Sequence, residues 1–344
     1  MKRAVLEAPE KIVFQEVDKA VPQKGEVLIK VRRMGICGSD IHAFHGQHPT
    51  MSCPVVMGHE FSGEIAELGE GAGKLQIGDA VTVRPQITCG ECYHCKTGNE
   101  NVCHELKVIG CNEHAPGGAQ EYALVPEHLV FALPEGMSFD DGAMIEPVAV
   151  GVAAVKTFAM DVKGKKILVL GAGTIGNLVA QSAKAMGAAS VTITDICDEK
   201  LEIARRCGID HTINTKTENL EERLEAFYGK DGLDGALECV GSEITVNEAI
   251  KVCRKETEII IVGIYAKDPA VHMIDVQEKE LHLSGVLMYS EEEFVQAMKF
   301  IQEGAVDLEP LKTKHFPFEA YGEAYRYIGE HPATSMKILI DIAE

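Results

Sequence analysis

Cys89, Cys92, Cys95 and Cys103 lie in the run C-G-E-C-Y-H-C-K-T-G-N-E-N-V-C. A thiolate at every third residue lets one loop close around a tetrahedral ion with Zn–S distances of about 2.3 Å, and four thiolates leave no position for a substrate. Gly90 and Gly98 supply the bends. The chemistry expected here is a structural zinc. A second, looser set of ligand types surrounds the loop in sequence: Cys37 in G-I-C-G-S-D-I-H, His59 and Glu60 in G-H-E-F-S-G, and Glu146 in M-I-E-P-V. Catalytic metal sites gather ligands from distant elements and keep one position open, so the pairing of a closed loop with a scattered set points to a zinc enzyme.

A third constellation is I-L-V-L-G-A-G-T-I-G, with Gly171, Gly173 and Gly176 spaced G-x-G-x-x-G after an apolar run and opening a helical pattern at Thr174 and Ile175. That spacing alone is weak. The following run, V-T-I-T-D, ends in Asp195 about twenty residues on, where a carboxylate holds both hydroxyls of an adenosine ribose and repels a 2′-phosphate. The expected cofactor is NAD.

The elements that must position these groups change character near residue 150. Before it, short alternating apolar runs such as Val27–Val31, Gly63–Leu68 and Ala80–Val83 are interrupted by Gly and Pro, as in a twisted, barrel-like β domain. After it, strands alternate with helices. Lys166–Leu170 precedes a helix over Ile175–Met186, and Val191–Thr194 precedes one over Lys200–Cys207. Gly235–Cys239 precedes a helix over Ile244–Val252, and Glu258–Val262 closes the series. The alternation predicts a doubly wound parallel sheet. Glu291–Gly304 reads as a helix and Lys337–Ile342 as a strand of a tail that returns to the first domain.

Composition bounds the function. The 344 residues suffice for two domains with their own cores, and 46% hydrophobic content describes a globular chain. A net charge of −20 argues against nucleic-acid binding, which needs clustered Lys and Arg. No run has the length of a membrane span, the first ten residues lack the apolar core of a signal peptide, and eleven cysteines without such a signal fit reduced thiols and metal ligands. A cytoplasmic location and no membrane partner are expected.

From G-E-V-L-I-K-V and G-I-C-G-S-D through G-H-E-F-S-G, the cysteine loop, Y-A-L-V-P, I-E-P-V-A-V-G, the glycine run and the terminal K-I-L-I-D, the chain resembles the zinc-dependent medium-chain dehydrogenases. Within them it resembles the sorbitol dehydrogenase-like polyol and sugar-acid branch. The resemblance implies a GroES-like catalytic domain over residues 1–150 and 290–344, a Rossmann NAD-binding domain over 151–289, and an active-site cleft. It implies two zinc ions per chain, the catalytic one held by Cys37, His59 and Glu60, with Glu146 as fourth ligand or as a partner through water. Ser39 matches the residue that hydrogen-bonds the substrate hydroxyl, His42 the histidine that relays its proton, Asp40 a group orienting a ligand, and Lys200 a lysine that reaches the adenosine ribose.

The expected reaction is hydride transfer between a secondary alcohol of a polyol, sugar or sugar acid and NAD, in a homodimer or homotetramer. The segments I-I-I-V-G-I-Y and H-L-S-G-V-L-M-Y are candidate interfaces. Two departures turn the reading away from sorbitol itself. Ala43 stands where sorbitol dehydrogenases carry a tyrosine, and Met288 stands where they carry an arginine before the retained Tyr289. The loop D-I-H-A-F-H-G-Q-H, with His45 and His48, is instead similar to enzymes that oxidise hexonates. A threonine or butanediol dehydrogenase is the near alternative, although the chain has no tryptophan and so lacks the tryptophan-containing segment expected in threonine dehydrogenases. A non-catalytic zinc-binding relative is the more distant alternative, and the intact ligand set speaks against it.

Overall fold

The computed structural model describes residues 1–48 and 50–343. The chain forms two compact units, one of Met1–Glu146 with Lys312–Glu344 and the other of Pro147–Leu311. The helix Phe139–Lys156, apolar and buried over most of its length, runs from the first into the second.

The first unit is built on a seven-stranded sheet. Its order is Lys312–Pro317, Lys337–Asp341, Glu26–Gly35, Glu60–Leu68, Ala80–Val83 and Val130–Ala132, with Tyr122–Pro126 also paired to Glu26–Gly35. Glu26–Gly35, paired with Glu60–Leu68 along one edge, takes two neighbours along the other because it is ten residues long: Glu26–Lys30 pair with Tyr122–Pro126, and Arg33–Gly35 pair with Leu339–Asp341. Val27, Ile29, Val31 and Met34 on it pack with Phe61, Ile65, Val81, Ile338 and Ile340 in one core. The tail therefore returns to the first unit from Lys312 onward. The helix Glu291–Gln302 does not return. Its Phe294 and Ala297 are buried, and it belongs to the second unit, so the second boundary lies later than the expected residue 290.

The second unit is a six-stranded parallel sheet in the order His211–Asn214, Ser190–Asp195, Lys166–Leu170, Gly235–Glu238, Glu258–Ile261, His282–Gly285. In chain order this is 3-2-1-4-5-6, the dinucleotide-binding arrangement whose direction reverses between the first and fourth strands. The four central strands are the ones the apolar runs predict. His211–Asn214, the helix Leu220–Tyr228 and the edge strand His282–Gly285 carry no continuous apolar run, because an edge strand is covered on fewer sides. Of the two candidate interface segments, Ile259 and Ile260 are wholly buried core, whereas His282–Gly285 is an exposed sheet edge with Leu283 and Leu287 near it in solvent. No helix of the described residues is long and apolar enough to cross a membrane.

Candidate metal centres and cofactor crevice

The four cysteines converge. Cys89 and Cys103 Sγ lie 3.5 Å apart, Cys92 and Cys95 3.6 Å, Cys92 and Cys103 3.9 Å, and Cys89 and Cys95 4.0 Å. A tetrahedron with arms of about 2.3 Å has edges of about 3.8 Å, so the donor set fits zinc. Backbone N–H groups of Cys95 and His104 draw the Cys92 thiol down to about 6, whereas burial and hydrogen bonding to Cys92 and Cys103 push Cys95 up to about 12. A metal would have to displace the Cys95 proton. The loop is tied down at both ends, by pairing of Gln86–Ile87 with Lys107–Val108, and at its side by the ion pair of buried Arg84 with Glu100.

The second set is assembled by strand register. Gly35 pairs with Glu60 across two antiparallel strands, which sets Cys37, just beyond one strand, beside His59 and Glu60 at the start of the other. One donor atom from each of Cys37, His59 and Glu60 lies within 4.8 Å of the others. Gly35 is required there: a Cβ on it would stand 2.2 Å from Glu60 Oε2. Two donor types suited to zinc and one carboxylate, in a buried niche, fit a catalytic ion. Glu146 is buried close enough for its charge to act on Lys337, but it is not one of the three converging donors.

Two groups at this centre carried no signal in the sequence pattern. Lys337 is 3% exposed, and its Nζ donates to Glu60 Oε1 at 2.7 Å, Glu60 Oε2 at 2.5 Å and the Ile36 carbonyl at 3.2 Å. Burial opposes its charge, yet Glu60 and Cys37 together hold its pKa above the ordinary lysine value. Cys111 Sγ lies 3.8 Å from His59 Nδ1. The K-I-L-I-D run announces a strand, and only its pairing to Glu26–Gly35 shows what Lys337 neutralises.

The short helix Gly38–Phe44 follows Cys37 directly. Asp40 Oδ2 accepts the Cys37 N–H at 2.9 Å, and its Oδ1 lies 3.7 Å from His59 Nδ1. Burial raises the Asp40 pKa against the pull of His59. Ser39 Oγ is buried without a hydrogen-bond partner. His42, three residues on along the same face, is exposed. His48 accepts the Met51 N–H on Nδ1 at 3.0 Å, which leaves Nε2–H as its donor, and burial followed by the charges of His42 and His59 lowers its pKa. His45 points elsewhere and pairs with Glu10 at 3.0 Å. Ala43 is buried core, and Tyr289 is buried against Phe294, so neither residue presents an open face.

In the second unit each glycine of the fingerprint has its own reason. Gly171 has φ +99°, and a Cβ there would stand 2.6 Å from Val240 Cγ2. Gly173 caps the helix Thr174–Ala185 and faces open space, and a Cβ on Gly176 would meet the Gly171 carbonyl at 1.8 Å. The helix N-terminus at Thr174, Ile175 and Gly176 thus opens onto room for a phosphate. Asp195 ends its strand, and its Oδ2 accepts the Ala172 N–H at 2.8 Å, so the carboxylate stands at the glycine loop. Lys200 is the third residue of the helix Asp198–Arg206 that follows.

Residues 23–135 match the family described as alcohol dehydrogenase GroES-like domain, and residues 174–303 the family described as zinc-binding dehydrogenase. The chain is 32% identical to L-threonine 3-dehydrogenase of Rhizobium etli over 99% of each chain. It is also 32% identical to 2-dehydro-3-deoxy-L-galactonate 5-dehydrogenase of Pseudoalteromonas atlantica, over 93% of this chain and 92% of that one. A crystal structure of an Escherichia coli CFT073 alcohol dehydrogenase complexed with NADH superposes with a TM-score of 0.91 at 30% identity, covering 99% of each chain.

Proposed function

The chain belongs to the zinc-dependent medium-chain dehydrogenases, an oxidoreductase with zinc and NAD as cofactors, and from that premise we propose that its substrate is a secondary alcohol of a polyol, sugar or sugar acid. Reversal would reduce the matching ketone with NADH. The observation that carries the reading is the convergence of Cys37, His59 and Glu60 beside a buried, unpaired Ser39 hydroxyl.

Cys37, His59 and Glu60 would hold the catalytic zinc, with Glu146 as a fourth donor directly or through water, and the four cysteines would hold the structural one. Zinc supplies a Lewis acid that lowers the pKa of the alcohol it polarises. Ser39 Oγ accepts the alcohol proton and His42 passes it to solvent. Asp40 fixes the Cys37 backbone and faces His59, which orients that imidazole. Lys337 offsets the Glu60 charge. NAD would supply the hydride acceptor, chemistry that belongs to the cofactor and that the protein would serve by position. Asp195 would take the adenosine ribose hydroxyls, and Lys200 would reach the same ribose.

His48 favours a polyhydroxylated or sugar-acid substrate, because its Nε2–H is a fixed donor near His42 and His59. A threonine or butanediol dehydrogenase is the second reading, favoured by the 32% identity to a threonine dehydrogenase and opposed by the absence of tryptophan. The test is NADH production across sorbitol, other polyols, hexonates, sugar phosphates, threonine and 2,3-butanediol. A polyol or hexonate should exceed threonine and butanediol by at least about 100-fold in kcat/KM, close to 3 kcal/mol of transition-state discrimination. The highest kcat/KM with threonine or butanediol would replace the proposal with the second reading.

A further inference from the structure

We infer that Glu238 is a charged positioning residue of the cofactor crevice, which stabilises the oxidised, cationic nicotinamide relative to the reduced one. The inference rests on the reading of this crevice as an NAD site. Glu238 ends the strand Gly235–Glu238 and is 0% exposed. Buried carboxylates are normally paired with a cation. Among the described residues none forms an ion pair with this one. Four neutral donors hold it instead. Its Oε1 accepts from Val240 N at 2.8 Å, Gly241 N at 3.0 Å and Thr245 Oγ1 at 2.7 Å, and its Oε2 accepts from Gly241 N at 3.1 Å and Tyr265 OH at 2.9 Å. Backbone N–H groups can only donate, so the arrangement suits an anion and leaves its charge uncompensated. The Cys239 thiol and the Tyr265 hydroxyl beside it are each pushed up, by burial first and then by Glu238.

The sheet order places this charge at the nicotinamide end. A dinucleotide lies across the carboxyl ends of the strands where their order reverses, here between Lys166–Leu170 and Gly235–Glu238. Asp195 takes the adenosine ribose on one side and the glycine loop takes the pyrophosphate, so the nicotinamide half extends over the ends of Gly235–Glu238 and Glu258–Ile261. Glu238 ties those ends together. Its carbonyl accepts the N–H groups of Val262 and Gly263, both at 2.9 Å, and the two turns touch so closely that a Cβ on Gly263 would stand 2.1 Å from Gly241 N. Val240 and Ile264, 48% and 65% exposed, form the apolar lip above the buried carboxylate. A ring resting on that lip carries a positive charge as NAD+ and none as NADH, and an anion beneath it in a low-dielectric setting distinguishes the two.

The experiment measures dissociation constants of NAD+ and NADH by calorimetry on the full chain. Glu238→Gln keeps the shape and removes the charge. It should weaken NAD+ about tenfold, or about 1.4 kcal/mol, and change NADH by no more than about twofold. Equal change in both, or in neither, overturns the inference. Tyr265→Phe keeps the ring and strips one donor from the carboxylate, so the field at the crevice strengthens and the NAD+/NADH affinity ratio should move at least about twofold the other way, towards NAD+. A Tyr265→Phe ratio that stays put or moves with Glu238→Gln overturns the inference even where the Gln variant does not fold. Wild-type protein that binds neither nucleotide would overturn the cofactor reading, and this inference with it.

Discussion

The two candidate metal centres of this chain solve opposite problems. The four-cysteine loop draws every donor from residues 89–103, closes its coordination shell, and sits mostly at the surface. The centre at Cys37, His59 and Glu60 draws its donors from the ends of two strands and its counter-charge from Lys337, some three hundred residues on, and it is largely buried. A local site needs only a flexible loop, whereas an assembled site needs the fold first. A zinc ion in the first would hold a loop together, whereas one in the second would serve the chemistry.

Cys37→Ser is the sharpest way to break that contrast. It should lower kcat/KM by at least about 10⁴-fold, or about 5–6 kcal/mol of transition-state stabilisation, and cut bound zinc from two ions to one, with the melting temperature nearly unchanged. Loss of stability equal to that of a loop-cysteine variant would reject the separation of roles. Lys337→Met comes next. Breaking the buried pair strips Glu60 of its partner cation, at a cost of about 3–5 kcal/mol. Denaturant titration should show the loss, and chelation of zinc should deepen it, because the metal is the other positive charge beside Glu60.

The cofactor crevice joins a local motif to an assembled one, the glycine loop to Asp195 at the end of the neighbouring strand. NAD should bind more tightly than NADP by about 2–4 kcal/mol, and Asp195→Ser should narrow that gap from both sides. Nicotinamide fluorescence gives both constants, helped by the absence of tryptophan. Comparable affinities in the unmodified protein would remove Asp195 as the discriminating group. Cys92→Ser should have the smallest effect, about 2 kcal/mol, since the loop is a surface excursion clamped at its ends by Gln86–Ile87 and Lys107–Val108. For the 179 residues of its unit, 146 from Met1–Glu146 and 33 from Lys312–Glu344, that lowers the melting temperature by roughly 4–8 °C. Activity should be retained below the transition.

What the residue order by itself determined is what lies close along the chain. The cysteine loop, the glycine run and the four central strands of the parallel sheet were legible, because short-range spacing and apolar periodicity act within a few residues, whereas the segment carrying Ser39 and His42 reads as a loop and folds as the short helix Gly38–Phe44. The edge strand His211–Asn214 was not legible, since partial exposure removes the apolar run that marks a buried strand. The membership of Glu291–Gln302 was decided by packing, because its amphipathic pattern fits any apolar surface. Only the tertiary structure brought Lys337 onto Glu60 and Cys111 onto His59, set Gly35 opposite a carboxylate, and left Glu238 buried among neutral donors. Each of these depends on strand register or on which turns meet, and a pairing between residues hundreds of positions apart leaves no trace in the local spacing of either one.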